Sequence, residues 1–288
     1  MGVEYESHRK TRFRRLPICL LVICLVVSPI ALILLSISFA TEYWLVITVD
    51  RNQLTRYQLH ITSDLTDIEL SRIAHSRAVG IFWECYYTNA TKFLEKAPGS
   101  RNRCFQVTYH VPEHKKDRAF SFQYWQRLQL KRTHLASMAM ALISCFVGFV
   151  LGILMWNCNS YRLAITASFF MVITGFLISL GMAVFHAVEF IETNTIKDPD
   201  ERLFRKYWPL YIKHASVRSY GWSYMLGWTS MALSAIPATL YGLIAFHLKG
   251  DEYHDISGDR TTLSEYMGSV STISRPIFSR KLSKYHHP

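Results

Sequence analysis

The chain of 288 residues is half hydrophobic and 14% aromatic, and only 18% of it is charged, below the roughly 25% of an average soluble domain. Four long apolar stretches have no Asp, Glu, Lys or Arg in their interiors, which excludes a soluble enzyme, a secreted disulfide scaffold and an intrinsically disordered chain. The net charge of +11 comes from basic residues spread over every polar segment, and no zinc finger, aromatic-basic ribonucleoprotein motif or recognition helix accompanies it, so it points to anionic lipid rather than to nucleic acid.

A hydrocarbon core of about 30 Å needs roughly 20 apolar residues at 1.5 Å rise per residue, and unpaired backbone amides in lipid force each span to be helical. Residues 1–16 carry Arg9, Lys10, Arg12, Arg14 and Arg15, which place the N-terminus in the cytoplasm. Span one runs from Pro17 to Ala40. Ser38-Phe39-Ala40 is similar to a signal cleavage site, but an apolar core covering 17–40 is well beyond the roughly 7–15 residues of a signal peptide, so the span is read as retained. Cleavage would leave three spans. Pro29 here and Pro237 in span four each remove one backbone hydrogen bond and are expected to bend their helices.

The outside segment 41–134 is too long for a connector and shows period-two alternation. Four strands are predicted: Trp44–Val49, Tyr57–Ile61, Val79–Thr88 and Phe105–Val111. Thr66-Asp67-Ile68-Glu69 fits a capping box and predicts a short helical insert towards His75. Cys85 and Cys104 fall in neighbouring predicted strands, and an exoplasmic location permits a disulfide worth about 3 kcal/mol; two free thiols are the alternative. Asn89-Ala90-Thr91 is a glycan acceptor that works only on that side. Phe120, Tyr124 and Leu128 recur every four residues, with Trp125 beside them and Arg127, Lys131 and Arg132 following. They predict an interfacial helix entering span two, its aromatics packed in the core or against a partner.

Span two is Leu135–Trp156, a turn covers 157–162, and span three is Leu163–Val188. A second outside loop, 189–220, precedes span four at Gly221–His247. That loop is rich in Lys and Arg, a clue against an outside location, although its acids temper it. Gly148-x-x-x-Gly152 and Gly175-x-x-x-Ser179 are small-residue pairs that let helices approach closely, within the bundle or against a partner; Gly221 and Gly227 around Trp222 are read the same way. Cys158 at the inner edge is a candidate palmitoylation site. Residues 248–288 are polar and expected to be disordered in the cytoplasm, with Ser279 and Ser283 in a basic setting where phosphorylation would release anionic lipid. The final Tyr285-His286-His287-Pro288 lacks the hydrophobic end that PDZ grooves capture.

Catalytic and conducting chemistry has no visible seat. The span interiors lack ionisable groups, which transporters and channels place at membrane depth. Hydrolase, zincin and nucleotide-binding motifs are missing, and Pro112 interrupts the helical metal spacing of His110 and His114. No metal or other cofactor is expected.

Four spans with a stapled sheet in the first outside loop resemble the claudin and peripheral myelin protein superfamily. The marker residues are Trp44 after span one, Gly80-Ile81-Phe82-Trp83-Glu84-Cys85, then Cys104, with Arg127 ahead of span two. Phe82 stands where Trp is usual, and the stretch between the cysteines is longer. Thr41-Glu42-Tyr43-Trp44-Leu45 and Ser219-Tyr220-Gly221-Trp222-Ser223-Tyr224 are similar to strings flanking the first and fourth spans of stargazin. The resemblance covers 17–248 and implies a membrane α+β fold: a four-helix transmembrane bundle carrying a disulfide-stapled antiparallel sheet. It implies a non-enzymatic auxiliary subunit at the plasma membrane, in a postsynaptic setting, with spans three and four meeting a channel of the AMPA-type glutamate receptor class. The alternatives are a voltage-gated calcium channel gamma subunit and a claudin-like barrier protein; self-association is compatible with each.

Overall fold

The computed structural model describes the backbone of residues 2–58, 72–87, 100–101, 103–111, 120–158, 160–197 and 204–273, and the side chains of these except 2–17, 55–58, 100–101 and 251–273. Four helices are long and apolar enough to cross a membrane, which makes this a multi-pass membrane protein: α1 (Gly2–Ala40), α3 (Phe122–Cys158), α4 (Tyr161–Phe190) and α6 (Trp222–Ile273). The shorter helices α2 (Arg51–Gln58) and α5 (Leu210–Ala215) belong to the polar segments between them.

Small polar side chains knit the bundle by donating to carbonyls of neighbouring helices, a common device where lipid removes the hydrophobic drive for association. Ser230 Oγ donates to the Ala31 carbonyl at 2.8 Å, Ser144 Oγ to Phe170 at 2.8 Å and Ser168 Oγ to Ala238 at 2.7 Å. The helices α1 and α6 are thereby joined deep in the bundle, and α6 continues through Pro237 as one helix. Cys24, Cys145, Met171 and Tyr241 anchor the core at the end away from the sheet. A second cluster carries that core up to Trp44 and Ile81.

The sheet has six antiparallel strands in the order β4-β5-β3-β2-β1-β6, with β1 Leu45–Val49, β2 Arg77–Val79, β3 Trp83–Tyr86, β4 Ser100–Arg101, β5 Cys104–Gln106 and β6 Ser216–Tyr220. Cys85 and Cys104 are directly opposite across β3 and β5 and form a disulfide.

Several expectations need correction. The single strand expected over Val79–Thr88 is interrupted, with β2 ending at Val79 and β3 spanning Trp83–Tyr86, because Gly80 N donates to the Trp83 carbonyl at 2.8 Å and turns the chain at 80–82; Thr88 lies outside the described residues. The strand expected at Tyr57–Ile61 is not formed at its start, since 57–58 close α2. Asp50 Oδ1 accepts from Asn52 N at 2.9 Å and caps that helix. Of Phe105–Val111 only the beginning is a strand; after Val107 N has donated to the Phe82 carbonyl, Tyr109 leaves the ladder and gives its hydroxyl to the Ile81 carbonyl at 2.6 Å. The second loop contributes β6, a strand with no apolar alternation to announce it.

The interfacial helix before span two is continuous with it as α3, and span three runs on into a π-helical turn at Ile191–Thr195. Span four was expected to end at 247 and give way to disorder. The apolar span itself is found at Trp222–Gly250, close to that expectation, but the helix continues to Ile273 where disorder was expected, with no proline in 248–273 to interrupt it. The capping box at 66–69, the acceptor Asn89, and Ser279 and Ser283 lie outside the described residues.

Candidate functional site

The marker residues converge where the sheet meets the bundle. Trp44, 1% exposed, ends the link from α1 to β1, and its Nε1 donates to the Ser38 carbonyl at 2.7 Å. Its ring is met edge-on by His134 of α3 at 5.0 Å and by Tyr224 of α6 at 6.3 Å, with Phe185 of α4 at 5.4 Å. One side chain therefore touches all four spans, directly or through its hydrogen bond. Ile81 is buried beside it, and Phe82 lies edge-on to Phe39 at 5.0 Å. Phe82 thus faces span one.

The strings at 41–45 and 219–224 sit side by side. Strand β1 pairs with β6 from Leu45↔Tyr220 to Val49↔Ser216. Gly221 N donates to the Trp44 carbonyl at 3.1 Å and Ser223 N to the Tyr43 carbonyl at 3.1 Å. Ser38 Oγ donates to the Ser223 carbonyl at 2.7 Å, and Trp222, 46% exposed, stacks on Tyr43 at 5.2 Å. A Cβ on Gly221 would collide with the Tyr43 carbonyl oxygen, and one on Gly80 would lie 2.5 Å from Glu42 Cα, so both glycines are required by close backbone approach.

A belt of ion pairs surrounds this junction. Glu84 of β3 lies 2.8 Å from Arg77 Nε and 3.3 Å from Arg72 Nη2, and accepts from Tyr86 OH at 3.0 Å. Burial alone would raise the Glu84 carboxyl, but Arg77 and Arg72 together with the Tyr86 hydroxyl hold it below its ordinary value. Burial pushes the Tyr109 phenol up to about 12. Arg127 of α3 donates to Glu192 Oε1 at 2.6 Å and lies 4.6 Å over the Phe204 ring; Lys131 reaches the same oxygen at 3.2 Å. Arg218 of β6 donates to Thr193 Oγ1 at 3.0 Å and lies 3.7 Å from Glu189, which also accepts from Tyr220 OH at 3.1 Å. Arg127 was legible in the sequence and Glu84 stood within the marker string without a role; Glu189, Glu192, Arg218 and His134 were not singled out. Their one signal is charge inside or beside otherwise apolar elements.

The small residues of the spans serve the chain's own packing. Gly148 faces Met171, Gly152 faces the Tyr241 ring, and Gly227 faces Met182; all three are buried. Gly175 is half-buried towards Ser234, while Ser179 is exposed and donates to the Gly175 carbonyl. Cys158 is exposed at the end of α3 distant from the sheet. Among the described residues no cluster of three metal-ligating side chains occurs. The arrangement holds a sheet on four helices.

Curated proteins show no match to this chain. A sequence profile described as PMP-22/EMP/MP20/claudin tight junction matches residues 29–243, well over half of the chain, and its span covers Trp44, the disulfide and Arg127. The chain belongs to the PMP-22/EMP/MP20/claudin family.

Proposed function

We infer that the protein is an auxiliary subunit that associates laterally with a pore-forming channel of the AMPA-type glutamate receptor class and alters its delivery and gating. The observation that carries this reading is the rigid tie between sheet and spans: Trp44 sits against His134, Phe185 and Tyr224 while β6 runs directly into α6. A push on the sheet is thereby transmitted to α4 and α6. Their outward stripes, Phe169, Val172 and Phe176 on α4 and Trp228, Ile236 and Leu243 on α6, are apolar and exposed, free to meet another protein's helices. Contacts that favour one gating state by 1–3 kcal/mol shift its population about 5–150-fold. In this reading the sheet is extracellular, both termini are cytoplasmic, and the protein resides in the plasma membrane at synapses.

Co-expression with glutamate receptor subunits tests it. Surface current or desensitisation is expected to change, and Phe169→Ala with Phe176→Ala to weaken co-purification while leaving the protein's own surface level intact. Unchanged currents and no co-purification would remove the reading. A calcium channel gamma role predicts the same result with calcium channel subunits instead.

A claudin-type barrier protein is the second reading. The family favours it, as does β6, a terminal strand of the sheet with Val217 66% exposed, since such an edge is suited to pairing between copies. Increased junctional resistance in epithelial cells would select it.

A further inference from the structure

Between the sheet and the end of the bundle lies a cavity of about 70 Å³. Ile81, Val107 and Tyr109 line it from the sheet side, and Trp44, Phe185 and His134 from the helix side. Val107 and Tyr109 are half-buried, so the cavity reaches the surface there. It has room for one end of a small molecule.

His134 is 6% exposed, and its Nδ1 lies 2.8 Å from the Gly181 carbonyl oxygen. A carbonyl only accepts, so Nδ1 carries the proton and Nε2 presents a lone pair. That Nε2 is wholly buried and has no partner among the described residues. Arg218 also lines the cavity, and its Nε, a donor, is buried and without a partner among the same residues. Two residues that line one cavity thus carry an orphaned acceptor and an orphaned donor, each with an unrecovered desolvation penalty.

The polarity of the pair selects the ligand. A carboxylate or phosphate would suit Arg218 but would offer the His134 lone pair no proton, and Glu189 and Glu192 on the rim would repel it. An ammonium would suit His134 but would meet Arg218 and Lys131. A neutral hydroxyl donates and accepts. His134 adjoins Leu135, where the charge-free apolar stretch begins, so the cavity lies at the depth where membrane molecules place their polar ends.

We propose that this cavity binds the hydroxyl end of a neutral lipid, with His134 Nε2 accepting from the hydroxyl and Arg218 supplying a donor, and with the apolar walls of Ile81, Val107 and Phe185 holding the adjoining carbons. The site faces inward and does not depend on which partner covers the spans.

The test uses the full chain in phosphatidylcholine nanodiscs with two photoreactive probes, a diazirine sterol and a diazirine monoacylglycerol. Saturable labelling of peptides containing 79–82, 105–109 or 181–189 is expected, competed by the matching unlabelled lipid. The probe that labels identifies the lipid class. His134→Phe keeps a ring against Trp44 and removes the acceptor, and should lower labelling about tenfold, the value of one hydrogen bond. Val107→Trp fills the cavity from the sheet side, leaves the residues of the spans unchanged, and should abolish labelling. It decides the matter if the His134 variant fails to fold, as judged by gel-filtration profile and disulfide content. The proposal is overturned by unsaturable labelling, by labelling unchanged in Val107→Trp, by equal competition from a fatty acid carboxylate, or by an experimental density map with only water in the cavity.

Discussion

Trp44 does the work of several contacts, since its indole closes a hydrogen bond to span one and its faces and edges meet rings from the other three spans. Trp44→Ala is expected to cost about 3–5 kcal/mol, typical of an aromatic removed from a core, and Trp44→Phe distinctly less. Thermal unfolding of the detergent-solubilised protein, followed by near-UV circular dichroism, measures both. Glu84 gives a pH prediction at the same scale. Its carboxyl is held below the ordinary value in the folded state, so the stability it adds is complete above the unfolded carboxyl's pKa of about 4.3 and is lost as pH falls through the lower folded value. Glu84→Gln should therefore lower the unfolding temperature at neutral pH, and the gap from the parent should narrow as the pH is brought below 4. A gap independent of pH would show that the carboxylate charge is not what Arg72 and Arg77 recognise.

Elements are joined here by backbone proximity as much as by side chains. The β6–α6 corner lies on the Tyr43 carbonyl, and Gly221 is what lets it do so. Gly221→Ala is expected to abolish surface delivery. Gly175→Ala, whose new methyl would meet Ser234 Oγ at an ordinary 3.5 Å, should be tolerated; surface biotinylation of both compares them. The disulfide belongs to this scale too. It closes a sequence separation of 19 between two short strands, so Cys85→Ser or Cys104→Ser should lose about 3 kcal/mol and reduce surface levels, with the double variant no worse than either single one. The span helices were legible from uninterrupted apolarity, because lipid leaves a helix no alternative. The strands were legible less well. Alternation at Tyr57 and beyond suggested a strand, yet Asp50 captures 51–58 for a helix, and β6 is a strand only because β1 offers it a partner.

At the scale of the molecule, sheet and bundle are one construction. The sheet takes β6 from the second loop, and Trp44 joins the core of the bundle, so the first loop alone lacks both a strand and a covered face. A peptide covering 41–121 is accordingly expected to be unfolded even with its disulfide formed, as collapsed amide dispersion in NMR spectra would report; a dispersed spectrum would show that the sheet stands alone. The ion pair of Arg127 with Glu192 braces the second loop against α3, and that of Arg218 with Glu189 ties β6 to the end of α4.

Composition and periodicity alone determined that four stretches are long and apolar enough to cross a membrane and that a cysteine pair and a β-rich segment lie between the first two; the likeness to the claudin superfamily rested on short strings matched to a known family. These are properties of local segments: the apolar length that spans a bilayer, and the residue spacing that marks a turn or a staple. Only the tertiary structure decided that Glu84, Glu192 and Arg218 belong to one belt, that Gly148, Gly152 and Gly227 pack inside the bundle, and that His134 borders a cavity with its lone pair unpartnered. The reason is physical. Who neutralises a charge or fills the space beside a glycine is settled by residues far away in the chain, and no local pattern encodes which of them arrives.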